Sequence, residues 1–140
     1  NDLDRKLSLK PALNVKARVT FIRDVPPGTG VGYGHLFKTK RSSRLAVVSI
    51  GYADGVNRAL SGKISAAIDG SLVPQVGAIA MDQTVFDITD RPDIKVGQVF
   101  TLLGTDGEIF ISPETWSDLS GSIPWEVLCG FRNRLHRVVF

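Results

Sequence analysis

With 140 residues and a net charge of +3, the chain is long enough to bury a hydrophobic core and short enough for one domain. An apolar fraction of 43% against 22% charged residues is that of a soluble globular protein, and no stretch reaches the apolar length of a membrane span. The pI is about 9.3, yet Lys and Arg fall in small dispersed groups without interleaved aromatics, which argues against a nucleic-acid surface.

The first ten residues are polar and start without methionine, and read as a linker. Residues 15–25 alternate apolar Val15, Ala17, Val19 and Phe21 with Lys16 and Arg18, the pattern of a half-buried strand. Pro26, Pro27 and Gly28 end it and turn the chain into GTGVGYGHLF, where Tyr33 stands between Gly32 and Gly34. Tyr33, His35 and Phe37 then alternate with Gly34 and Leu36, so this turn is expected to open a strand. The basic run from Lys38 to Arg41, with Arg44 after it, is of a kind that binds phosphates or forms a solvated strand edge, and the second reading is favoured. Residues 44–50 (RLAVVSI) form a buried strand that delivers the chain into the glycine-bracketed loop GYADG and on to Arg58.

Residues 63–68 and 72–76 read as a hairpin across Asp69-Gly70, with Pro74 marking an edge strand or a bulge. Residues 84–88 (TVFDI), 99–103 and 109–111 give further strands, the last two separated by a turn at residues 104–107. Ser112 caps a helix begun by Pro113 and Glu114 and stopped by Gly121; residues 122–126 repeat that start signal for a second short helix. Residues 134–140 are expected to close the chain as a strand. The expected fold is mainly β: a closed or nearly closed β-barrel of about eight strands, with two short helices near the C-terminus.

The single cysteine, Cys129, has no internal disulfide partner; its apolar run WEVLCGF implies a buried free thiol and a reducing, cytoplasmic compartment. His35 and His136 are isolated, so no metal site is expected. GTGVGYG lacks the following helix and the acidic residue of a dinucleotide fingerprint. What remains are three glycine-flanked turns that each carry functional side chains: VGYG at Tyr33, GYADG at Tyr52, and the polar pair Asp82-Gln83 after Met81.

These segments, in this order, resemble the C-terminal domain of alanine racemase. The family patterns are VSYG or VGYG, then GYADG followed by Arg, then VGR-x-x-MDQ, then a late T-I-x-Y-E stretch and a basic end. This chain reads VGYGHLF, SIGYADGVNR, VPQVGAIAMDQTVFDIT, SGSIPWEVLCGF and RNRLHRVV, behind the family's VKARV strand. The resemblance assigns residues 1–10 to a linker from an N-terminal (β/α) barrel and residues 11–140 to the β-barrel domain.

It also implies a reaction: interconversion of L-alanine and D-alanine on pyridoxal 5'-phosphate, for the D-alanine of peptidoglycan. The cofactor's ring is the electron sink, and a proton leaves one face of the bound amino acid and returns on the other. Two faces need two proton-transfer groups. In the family one is the cofactor-holding lysine of the N-terminal domain, in a motif like KANAYGHG that is absent here; the other is the tyrosine of VSYG, matched by Tyr33. A phenol is a poor base at neutral pH, so partners outside this domain must stabilise its anion. Met81 matches the residue whose backbone N–H holds the substrate carboxylate, and Tyr52, Arg58 and Asp82 match the active-site entrance. Completion of one subunit's site by the other subunit's tyrosine implies a homodimer.

Two positions depart from the pattern. Ala78 stands where the family often has arginine, which removes a cation from the entrance. Trp125 stands where a tyrosine donates to the cofactor phosphate; an indole N–H also donates, from a larger and differently placed ring. Other readings stay open: Tyr52 as a turn aromatic closing one barrel end, Asp54 as a residue stabilising its own loop, a racemase of another small amino acid such as serine, or a non-catalytic interaction module.

Overall fold

A computed structural model describes residues 10–139; the expected linker lies outside them except for Lys10. The domain is mainly β with two helices. Its strands are β1 (Val15–Val25), β2 (Gly30–Val31), β3 (Phe37–Lys38), β4 (Ser43–Val48), β5 (Ser65–Ile68), β6 (Ser71–Pro74), β7 (Thr84–Asp87), β8 (Val99–Asp106) and β9 (Ile109–Ile111). The helices are α1 (Pro113–Ser120) and α2 (Pro124–Gly130).

The main sheet runs β6-β5-β8-β1-β4-β7, with β9 added to β8 and all pairs antiparallel. β1 organises it. Its first residues pair with β8, then a bulge near Val19 re-aims the strand so that residues 19–25 pair with β4. Of the four apolar positions in the alternation read from sequence, Val15 and Val19 are interior and Ala17 is half-buried, but Phe21 is 56% exposed. The bulge after Val19 shifts the alternation by one, so that Ile22 packs on the core in its place. β6, the strand carrying Pro74, is an edge of this sheet, as its proline requires. The edges β6 and β7 approach each other at one bridge, Gln75 opposite Phe86, where the Val76 N–H donates to the Val85 carbonyl at 2.9 Å.

The core gathers Val19, Val48, Ile50, Phe86, Phe100, Leu102, Trp116 and Phe131, with Phe86 and Phe100 edge to face at 5.3 Å. A smaller cluster of Val25, Val31, Leu45 and Val76 supports the Tyr33 hairpin. Helix α1 begins and ends where its caps dictate: Ser112 Oγ accepts the Thr115 N–H at 3.2 Å, and Gly121 is left-handed. It buries Trp116 against Phe131.

Four further expectations are corrected. Tyr33, His35 and Phe37 do not alternate along a strand: residues Tyr33–His35 form a 3-10 turn between the two-residue strands β2 and β3, because Gly34 is left-handed in its middle. Gly104 is not in a turn, since β8 runs on to Asp106 and pairs with β9, the chain reversing only at Gly107. Residues 134–139 form no strand; the Arg134 and Arg137 side chains, not a backbone ladder, fasten this tail. Cys129 is exposed, on a helix none of whose residues is fully buried and at a position that lines an open cavity. Of the basic run, Arg41 pairs with Asp90 at 2.6 Å, and Arg44 after it pairs with Asp24 at 2.9 Å.

Candidate functional site

Residues 77–81 lead into the turn at Asp82-Gln83, and the other two glycine-flanked turns are fastened to them. The Tyr33 turn packs on Ala78 through Gly32, whose φ of 72° and ψ of −176° only glycine adopts readily. The GYADG loop is held by two backbone hydrogen bonds, Tyr52 N–H to the Ala80 carbonyl at 2.9 Å and Ala53 N–H to the Met81 carbonyl at 3.0 Å. Gly51 makes that approach possible, because a side chain there would run into the backbone of Ala80 and Met81. The Arg58 turn is tied in by Ser61, whose hydroxyl donates to the Arg58 carbonyl at 2.6 Å and accepts the Ile79 N–H at 3.0 Å.

Sequence reasoning missed the support beneath this segment. Gln75, 97% buried by its 3% exposure, uses its amide N–H groups on the Val76 and Gly77 carbonyls at 2.9 Å each and accepts the Gly62 N–H. The signal was a lone amide inside the apolar run LVPQV, a residue that must find partners once buried. Ser61 gave no comparable signal.

The turns bring Tyr33, Tyr52 and Arg58 to the rim of one open cavity of about 850 Å³, closed on its far side by Trp116 and by Glu126, Cys129 and Arg132 of the α2 region. Tyr33 is 79% exposed and its hydroxyl makes no hydrogen bond among the described residues. Met81 and Asp82 sit in the adjoining turn outside the cavity lining, with the Met81 N–H unpaired among the described residues. Trp125 is 71% exposed on α2 and does not line the cavity, although its neighbours Glu126 and Val127 do. Ala78 is buried against the Tyr33 turn.

Asp54 caps its own loop, as one sequence reading held: one carboxylate oxygen accepts the Gly51 N–H at 2.9 Å. Its other oxygen meets Arg134 Nε at 3.0 Å, and the same guanidinium donates to Asp82. The hydrogen bond to Asp82 and, against a smaller opposing effect of burial, the charge of Asp54 push the Arg134 pKa above its usual value. Among the described residues no cluster of His, Cys, Asp or Glu could hold a metal ion, and no helix is long and apolar enough to cross a membrane.

Fold and site together define a β domain whose glycine-flanked loops present phenols and a guanidinium to an open cavity. Residues 12–139 match the family described as alanine racemase, C-terminal domain. The chain is 63% identical over 138 residues to an alanine racemase of Prochlorococcus marinus, covering 99% of this chain and 36% of that protein. It is 51% identical to an alanine racemase of Nostoc sp., covering 97% and 35%. Among solved structures, the alanine racemase of a D-cycloserine-producing Streptomyces lavendulae superposes with a TM-score of 0.90 at 32% identity, covering 97% of this chain and 35% of that one. That of Bartonella henselae with covalently bound pyridoxal phosphate gives 0.83 at 36% identity, covering 91% and 34%. The chain belongs to the alanine racemase C-terminal domain family, and spans about a third of the length of the curated relatives it matches.

Proposed function

We propose that this domain supplies the tyrosine half of an alanine racemase that interconverts L-alanine and D-alanine. The observation that carries the reading is the fastening of the Tyr33 and GYADG turns to residues 77–81, with the Tyr33 phenol exposed and without a hydrogen-bond partner among the described residues. A proton-transfer group that must meet a substrate held elsewhere needs that freedom.

Tyr33 Oη takes the α-proton on one face of the substrate in one direction and returns it in the other. The Met81 N–H, unpaired and beside the Tyr52 loop, holds the substrate carboxylate. Tyr52 narrows the approach, and the Arg58 cation draws the carboxylate toward it. Asp82 serves the entrance through its partner Arg134.

Pyridoxal phosphate, when bound, supplies the electron sink that makes the α-proton removable. The residues present fit a place beside the cofactor and not its covalent attachment. Among the described residues no lysine lines the cavity, and Lys63 is turned away, its ammonium donating to the Leu119 carbonyl at 3.1 Å. The exposed indole N–H of Trp125 can donate to a phosphate brought against α2. On this reading, as in the family it resembles, the covalent lysine is supplied by a (β/α) barrel domain with residues 1–10 as the linker, and the exposed Tyr33 serves the site of a second subunit in a homodimer. The bridge between Gln75 and Phe86 supports closure of the sheet into a barrel. A role in D-alanine supply for peptidoglycan places the enzyme in the cytoplasm.

Tyr33→Phe in the full-length protein tests the reading. Racemisation in both directions should fall at least about a hundredfold, the lower range for a lost general acid–base group, with the cofactor's absorbance unchanged. Unimpaired racemisation would instead favour a β-barrel interaction module. The 140-residue chain alone, mixed with pyridoxal phosphate, should give neither Schiff-base absorbance nor racemisation. Kinetics with alanine and serine decide between those substrates.

A further inference from the structure

The tail after α2 carries an arginine, Arg134, that the family resemblance leaves without a role, yet the fold delivers it to the site. Phe131 anchors the start of the tail in the core, and Arg137 donates to the Phe131 carbonyl at 2.8 Å, which bends the segment back on itself. Gly55 lies against Gly130 so closely that a β-carbon at Gly55 would come within 2.8 Å of the Gly130 carbonyl. The tail is therefore packed on the GYADG loop before Arg134 makes any contact.

We propose that Arg134 is a positioning residue, whose guanidinium couples the Tyr52 loop to the Met81-Asp82 turn by engaging Asp54 and Asp82 together. This inference rests on the roles proposed above for Met81 and Tyr52. Asp54 is buried and already spends one oxygen on Gly51, so it is a fixed post. Asp82 is exposed and has no other hydrogen-bond partner among the described residues, so Arg134 is what orients it. The two arms act across the same gap as the backbone hydrogen bonds from Tyr52 and Ala53. Side-chain and main-chain links thus form a closed loop around Met81, and the orientation of its N–H depends on both. The planar fork of arginine can address two carboxylates at once, which an ammonium cannot do with the same geometry.

The test uses the full-length protein with Arg134→Gln, Arg134→Lys and Asp82→Asn. Arg134→Gln should raise KM for alanine about tenfold while kcat changes less, the signature of weakened substrate binding. Arg134→Lys should recover part of that loss. Asp82→Asn, which spares the Asp54 arm, should shift KM in the same direction by a smaller factor and keeps the test valid if Arg134→Gln fails to fold. An unchanged KM in these variants, or a kcat that falls only in step with melting temperature, overturns the proposal. Tyr33→Phe, run beside them, separates the two levels: an inactive Tyr33→Phe with normal KM in the Arg134 variants overturns the positioning role alone, whereas an active Tyr33→Phe overturns the reading beneath it.

Discussion

Gly32 lies flat against Ala78: a β-carbon at Gly32 would come within 2.8 Å of the Ala78 nitrogen and 3.0 Å of its carbonyl oxygen. This backbone contact, not a side-chain one, sets where the Tyr33 phenol stands. Gly32→Ala meets both the clash and a conformation that costs an L-residue about 1–3 kcal/mol. The turn should shift, and the full-length enzyme should lose about a hundredfold in kcat, as a 1 Å misplacement can cause, with its cofactor absorbance intact. Steady-state kinetics beside an absorbance spectrum check this.

Ser61→Ala removes the hydroxyl that joins the Arg58 turn to Ile79 and leaves the Ile79 N–H without its partner. A part-buried donor stranded in this way costs about 1–3 kcal/mol. Denaturant unfolding should register that loss, and KM for alanine should rise as the Arg58 turn loosens.

Phe86 and Phe100 are both fully buried and meet edge to face, Phe86 also forming the bridge to Gln75. Phe86→Ala should cost about 3–5 kcal/mol, the range for a large aromatic cut from a packed core. Because that cavity opens next to the bridge, hydrogen exchange at Val76 should accelerate more than at β1.

Asp90 is held below the usual carboxylate range by its hydrogen bond from Arg41, and Asp93 likewise by the fork of Arg91. A carboxylate whose folded pKa is lowered contributes stability above its unfolded pKa, and that contribution is lost as pH falls through the folded value. Both pairs are exposed, so each contribution is small. Carbon-13 titration of the carboxyl groups should find both midpoints below the ordinary aspartate value, and Arg41→Gln should return Asp90, and not Asp93, toward it.

The amino-acid sequence determined most of the strands, both helices and the family. Alternation in residues 15–25, the apolar run before GYADG, the Asp69-Gly70 turn and the Ser112-Pro113 start are local signals, each written within a few residues of the element it specifies. The same holds for the motifs that carry Tyr33, Tyr52 and Met81. Tertiary structure decided what local signals cannot encode. Cys129 lies in an apolar run yet is exposed, because burial depends on what packs opposite α2. Residues 134–139 look like a strand by composition, but no edge of the sheet receives them, and Arg134 instead finds Asp54 and Asp82, 80 and 52 positions back in the chain. The spacing of the turns along the sequence says nothing of the shared segment at residues 77–81. That junction exists only because Gly32 and Gly51, remote from it in sequence, lack the side chains that would keep three backbones apart.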